Sequence, residues 1–305
     1  MVNNEEFISR VFAGRAFALL DCAMGTSLMA AGAVSPGGRT DRASLDFPDA
    51  VADVHRRCIR AGARIFKANT FNAGLLKADT AKDGYDAEEA WRAGLRIARR
   101  VADEEAEGGS APRALVALDI GPLGEIVGFT DGLDHARARE LFARLARVGA
   151  EEGADLVFIE TMSDLEELKD AVWAAQNETA LPVLCSMTFD ASGHSFMGAT
   201  PAQFGEEARG LGVAAIGMNC SIGPLDMARI LPELLAAAGD LPVFAKPNAG
   251  QPRAENGTTV YDMTPARFAE EMKDVLALGV RMAGGCCGTT PEMVEALGKL
   301  AGKEQ

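Results

Sequence analysis

Histidine is almost missing from this chain. Three stand among 305 residues; the surrounding pattern places His55 within a helix and His135 and His194 in loops. None falls at the end of an apolar run, so a Ser-His-Asp or Cys-His relay finds no base, and acyl transfer is disfavoured. Positive charge is also outnumbered, with 30 Lys and Arg against 44 Asp and Glu and a formal net charge of −14. Such a chain has no electrostatic case for nucleic acid. No run approaches the ~18 apolar residues of a membrane helix, and the opening MVNNEEFISR is too polar and acidic for a signal peptide. Six cysteines lack the dense spacing of a disulfide scaffold, which argues for a reducing compartment and a cytoplasmic protein.

What is present is a repeat of short apolar segments rich in Val, Ile, Leu, Phe and Ala. They cover residues 16–22, 63–70, 114–120, 154–160, 182–189, 214–220, 242–247 and 280–285. Helical stretches lie between them, several opened by caps. Ser163 with Glu166 and Thr200 with Gln203 have capping-box spacing, and Pro follows Thr200, Thr264 and Thr290. Strand and helix alternating eight times predict a single (β/α)8 TIM barrel over residues 1–305. A doubly wound open sheet is the alternative, but DCAMGT stands where its glycine-rich turn would follow the first strand. The polar segment 103–113 reads as a surface loop, and no linker divides the chain.

The unusual residues gather where the apolar runs stop: DCAMGT, KANTF, LDIGP, IETMS, MTFD, MNCSIGP, KPNAG and GGCCGTTP. In a barrel these ends converge on one face, where barrel enzymes build their sites. Cys220, Cys286 and Cys287 are thereby predicted to share one zinc ion per chain, with the fourth tetrahedral position open to water or substrate. Core packing or a disulfide are the competing readings. Adjacent cysteines rarely pair, and packing leaves Gly284, Gly285 and Gly288 without a purpose. Cys58 and Cys185 read as small core residues.

These motifs resemble the homocysteine S-methyltransferases, most closely the homocysteine-binding domain of cobalamin-dependent methionine synthase. The resemblance runs from LLDCAMGTSL through IFKANTFNA, LDIGPLGE, FIETMSDLEELKDAV, MTFDASG, GMNCSIGP and PNAGQPRAENGTTVY to GGCCGTTPE, over roughly residues 15 to 300. It implies a zinc barrel that binds homocysteine and methylates its sulfur to methionine, with Cys220, Cys286 and Cys287 as zinc ligands. It also implies that Asp21, Met24, Gly25, Thr26 and Glu160 hold the amino-acid part of the substrate; Asp119, Asn69, Asn219 and Asn248 also end strands and are expected to line the same pocket. Carboxylates suit its ammonium, and backbone N–H groups over residues 23–26 suit its carboxylate. Asp21 and Glu160 could instead be buried ion-pair partners. Asp119, Asn69, Asn219 and Asn248 could instead orient loops.

Three thiolates and a homocysteine thiolate would leave electron density on the reacting sulfur, so no general base is needed once the thiol proton has gone. A zinc hydrolase is disfavoured because three thiolates weaken the metal as a Lewis acid. The chain contains no D-x-H-x-x-G cobalamin motif and no second barrel, so methylcobalamin is expected in trans on a separate corrinoid protein. S-methylmethionine and betaine are the alternative donors, although Trp91, Trp173, Tyr85 and Tyr261 alone make a thin aromatic cage for betaine. A non-catalytic zinc- and thiol-binding subunit is the alternative from another class. Cys22, Lys67, Ala68 and Asp46 depart from the family pattern, which leaves room for another small thiol acceptor.

Overall fold

The computed structural model describes residues 4–71, 86–109, 112–128, 133–255 and 258–302. Eight parallel strands form one sheet: β1 (Ala18–Leu19), β2 (Ile65–Lys67), β3 (Leu115–Ile120), β4 (Leu156–Met162), β5 (Val183–Met187), β6 (Ala215–Asn219), β7 (Val243–Lys246) and β10 (Met282–Ala283). Their order is β1-β10-β7-β6-β5-β4-β3-β2, and a parallel bridge from Leu20 to Ile65 joins the two ends. Helices alternate with the strands, so the predicted (β/α)8 barrel is what the chain forms. Each observed strand overlaps its apolar segment, and β4 runs on to Met162 beyond the expected end at residue 160.

Strand periodicity builds two cores. Leu20, Ile65, Leu115, Ala117, Leu156, Phe158, Leu184, Ala215, Phe244 and Met282 fill the inside of the ring, while alternate residues such as Phe66, Val116, Val157 and Ile216 pack outward under the helices. Gly217 lies in register with Phe244, and a Cβ there would sit 2.3 Å from the Phe244 ring, so glycine makes room for the largest inner side chain. Helix Asn4–Phe12 adds Val11 to the inner core, with Phe7, Ile8 and Phe12 packed against it. It stops the amino end of the ring with an apolar plug.

Helices Pro201–Arg209, Pro265–Ala277 and Pro291–Ala301 all begin at the expected proline. Thr200 and Gln203 form the capping box. The other expected box is corrected: Asp164, not Ser163, caps helix Leu165–Glu178 and accepts the Glu166 N–H at 2.9 Å, because a carboxylate competes well for the first free N–H groups. The segment read as a loop from residue 103 is also corrected. Helix Ala87–Glu107 runs into its first part, as far as residue 107, turning Glu105 inward to a bidentate pair with Arg60 at 2.8 and 2.9 Å. His135 is the first residue of helix His135–Glu151 rather than part of a loop, and its Nδ1 lies 2.6 Å from Asp170. Antiparallel strands β8 (Arg253–Glu255) and β9 (Thr258–Val260) follow β7 and were not foreseen. No helix among the described residues is long and apolar enough to cross a membrane.

Candidate metal and thiol site

The inward alternation does not stop where the apolar residues do. Two positions beyond Ile65, Ala117, Phe158, Leu184, Gly217 and Phe244 stand Lys67, Asp119, Glu160, Ser186, Asn219 and Lys246, so a polar layer lies on the apolar one at the carboxyl end of the ring. All six are buried. Above this layer the three predicted cysteines meet. The Sγ atoms of Cys220, Cys286 and Cys287 lie within 4.8 Å of one another, and those of Cys220 and Cys287 are 3.7 Å apart. Tetrahedral Zn–S bonds of ~2.3 Å require S···S separations of about 3.8 Å, so the donor set fits zinc in element and spacing.

Backbone contacts hold each cysteine. Cys220 N–H donates to Lys246 O at 3.1 Å and Cys286 N–H to Pro247 O at 2.8 Å, while Cys287 O accepts from Ala249 N–H at 2.9 Å. Cys220 and Ser221 both take left-handed φ, 62° and 64°; that turn aims the Cys220 sulfur back across the mouth toward the pair. Gly288, at φ 77°, lets the Tyr261 ring approach so closely that a Cβ would be 2.1 Å from it. The Tyr261 hydroxyl is raised by burial and by the neighbouring Cys287.

The sulfurs crowd one another. Hydrogen bonding with Cys286 favours the Cys220 thiolate, but Cys287 and burial outweigh it and push the thiol up to about 12. Cys287, favoured by Cys220 but opposed by Cys286 and burial, is likewise pushed up to about 12. Cys220 and burial raise Cys286. Three neighbouring thiols do not ionise together unaided; a dication supplies the charge that lets them.

The polar layer is a charge network. Asp21 Oδ1 contacts Lys246 Nζ and lies 3.0 Å from Lys67 Nζ, while Oδ2 accepts the Lys67 N–H at 2.9 Å. Burial alone would raise the Asp21 carboxyl, but Lys246 and Lys67 win and lower it from 3.8 to about 2. Lys67 Nζ is also 3.6 Å from Glu160 Oε2. Burial, then Glu160, holds the Asp119 carboxyl well above the ordinary carboxylate range. Glu160 Oε2, Asp119 Oδ1 and Asn248 Oδ1 are buried with no hydrogen-bond partner.

The other expected residues divide. Asn219 Oδ1 accepts from Thr161 N–H and Ser186 Oγ, each at 2.8 Å, and its Nδ2 donates to Thr161 Oγ1 at 2.7 Å. Its amide thus ties the strand ends together, including Thr161 at φ 62°, and its Nδ2 also donates to Cys286 Sγ at 3.7 Å. Asn69 Nδ2 donates to Thr40 O at 2.7 Å and Ser44 Oγ at 3.0 Å, away from the sulfurs. Met24, Gly25 and Thr26 form the first turn of helix Met24–Ala30, which has no side-chain cap. Thr26 Oγ1 accepts the Gly288 N–H at 3.2 Å, joining that turn to the cysteine loop. Cys22 packs outward, its sulfur 2.8 Å from that of Cys58, both buried. The pairing of Lys67 and Lys246 on Asp21 was missed, though the alternation in IFK and VFAK carries the signal.

Fold and site together define a (β/α)8 barrel with three thiols at its mouth spaced so that they could hold a metal ion. The chain belongs to the homocysteine S-methyltransferase family, whose model matches residues 18–301. It is 30% identical over 282 residues to a methionine synthase of Mycobacterium tuberculosis (strain ATCC 25618 / H37Rv), covering 89% of this chain and 23% of that protein. With the methionine synthase of Mycobacterium leprae (strain TN) the figures are 31% over 253 residues, 81% and 21%. The chain therefore spans less than a quarter of these relatives' length. Among solved structures, the metallated homocysteine methyltransferase MmuM from Escherichia coli superposes with a TM-score of 0.76 at 23% identity, covering 92% of this chain and 95% of that one. Its apo form gives 0.72 at 24% identity, with 93% and 95% covered. These likenesses bear on the fold.

Proposed function

We propose that this chain is a single-domain, cytoplasmic, zinc-dependent S-methyltransferase that converts homocysteine to methionine, its methyl group carried by a separate corrinoid protein. The convergence of three cysteine sulfurs within 4.8 Å at the carboxyl ends of the strands carries the reading. Zinc held by Cys220, Cys286 and Cys287 would supply a fourth position at which a thiol sheds its proton yet stays nucleophilic.

The chain's own groups then bind and orient. Glu160 and Asp119 offer buried carboxyl oxygens without hydrogen-bond partners to the substrate ammonium. The uncapped start of helix Met24–Ala30 offers N–H groups to the substrate carboxylate. Asn219 positions Thr161 and lies with Nδ2 3.7 Å from Cys286 Sγ. The S–C bond forms as the methyl leaves its donor, the bonding pair stays on the donor, and the thiol proton has already gone to solvent. A macromolecular donor is supported by Phe47, Ile126, Phe196 and Leu225, apolar and 44–85% exposed in segments that follow strand carboxyl ends. Six free cysteines support a reducing compartment.

The test offers zinc-loaded protein and homocysteine a choice of methylcobalamin, S-methylmethionine or betaine, with a Cys286→Ala control. Methionine should form with methylcobalamin, and the variant should lose bound zinc and about 10³-fold in rate. Absence of zinc from the wild-type protein would refute the reading, and methionine from S-methylmethionine or betaine alone would replace the corrinoid donor.

A further inference from the structure

The acceptor pocket carries its own ammonium. Lys67 Nζ lies 3.6 Å from Oε2 of Glu160, one of the carboxyl groups assigned above to a substrate's amino group, and is fixed by Asp21 at 3.0 and 3.2 Å. Lys67 is 8% exposed and Lys246 0%. Two buried lysines therefore face the carboxylates of Asp21 and Glu160, while burial and then Glu160 hold the Asp119 carboxyl well above the ordinary carboxylate range. Each of these two carboxylates has a lysine beside it before any substrate enters.

We infer that this pocket takes a second class of acceptor, ω-mercapto carboxylic acids that lack an α-ammonium, with Lys67 providing in the protein the cation that homocysteine brings with it. The inference rests on the thiol-acceptor reading of the site. A site built to bond a substrate N–H rejects an analogue lacking it by about 10⁴-fold or more, because the site's own groups are left unpaired. Here Glu160 keeps a cationic neighbour at 3.6 Å when the ammonium is absent, so part of that penalty is removed although its Oε2 makes no hydrogen bond. Lys67 thus acts as a specificity-determining residue, while the sulfur cluster of Cys220, Cys286 and Cys287 serves thiols of either class.

Homocysteine and 4-mercaptobutyrate share a carbon skeleton and differ by the amino group, which makes them the probes. Calorimetric titration of zinc-loaded wild-type protein should give dissociation constants within about a hundredfold of each other, against the 10⁴ of a dedicated site. Lys67→Met should widen the ratio at least about tenfold in favour of homocysteine by leaving Glu160 unpaired. Glu160→Gln should weaken homocysteine more than 4-mercaptobutyrate. A wild-type preference for homocysteine above about a hundredfold would overturn the inference without touching the methyltransferase reading, as would an unchanged ratio in folded Lys67→Met. If zinc-loaded protein binds neither thiol, both readings fall. The wild-type ratio needs no variant to fold.

Discussion

The two ends of the barrel interior are built from the same strands and differ in almost everything else. At the amino end Ala18, Leu115, Leu156, Phe158, Ala215 and Phe244 close on Val11 as an apolar cluster. One step along the strands, Asp21, Lys67, Asp119, Glu160 and Lys246 are just as buried, and the cysteines stand beyond them. The first end stabilises by removing apolar surface from water, roughly 25 cal/mol per Å². The second encloses charges that repay their desolvation only when each keeps its partner. Stability and chemistry are thus separated along the barrel axis, and each end should fail in its own way.

The largest expected effect is at the apolar end. Phe244→Ala should cost about 3–5 kcal/mol, seen as a lower midpoint in urea, while zinc stoichiometry at low temperature stays at that of the wild type. Loss of zinc in folded protein would show that the ends are not separable. Lys246→Met, on the same strand two residues later, should cost about 3 kcal/mol by leaving Asp21 short of a cation, and it should change the acid limit. Asp21 is lowered from 3.8 to about 2, so its stabilisation is present above pH 3.8 and disappears as pH falls through about 2. The variant should lose that contribution at higher pH, which melting curves between pH 2 and 5 would reveal; identical acid profiles would contradict the network.

The smallest effect lies outside the ring. Glu167 on helix Leu165–Glu178 accepts the Leu123 N–H at 2.6 Å, and burial raises its carboxyl from 4.5 to about 7. A raised carboxyl is favourable to the fold below its unfolded value and costs stability as pH rises from 4.5 through 7. Glu167→Gln keeps the acceptor and removes the charge, so it should stabilise by on the order of 1–3 kcal/mol at pH 8 and by little at pH 4. Equal gains at both pH values would place the cause elsewhere.

Much of this was legible in the sequence because barrel strands are buried on both faces and appear as continuous apolar runs. The same runs end at their polar residues, so Cys220, Cys286 and Cys287 could be placed on one face without coordinates. The charge pairing was harder. KANTF and KPNAG mark Lys67 and Lys246 as polar ends of strands without giving their partner, and only the period-two direction of IFK and VFAK turns them toward Asp21. Strands β8 and β9 were hidden because Arg253–Glu255 and Thr258–Val260 carry no apolar alternation. The helix through Glu105 was hidden because a charged residue can face inward when Arg60 meets it. Asp164 displaced Ser163 as a cap for a reason that spacing alone does not rank.

Cys220 and Ser221 share nearly the same left-handed backbone angle, and sequence drift should treat them oppositely. Ser221 is exposed, so glycine or asparagine there relieves strain of roughly 1–3 kcal/mol at no cost to the donor set. Cys220 has no such exit, because any residue more comfortable in that conformation lacks the sulfur. Among descendants of this chain, variation at one position beside invariance at its neighbour would be the historical imprint of a turn that exists to aim a ligand.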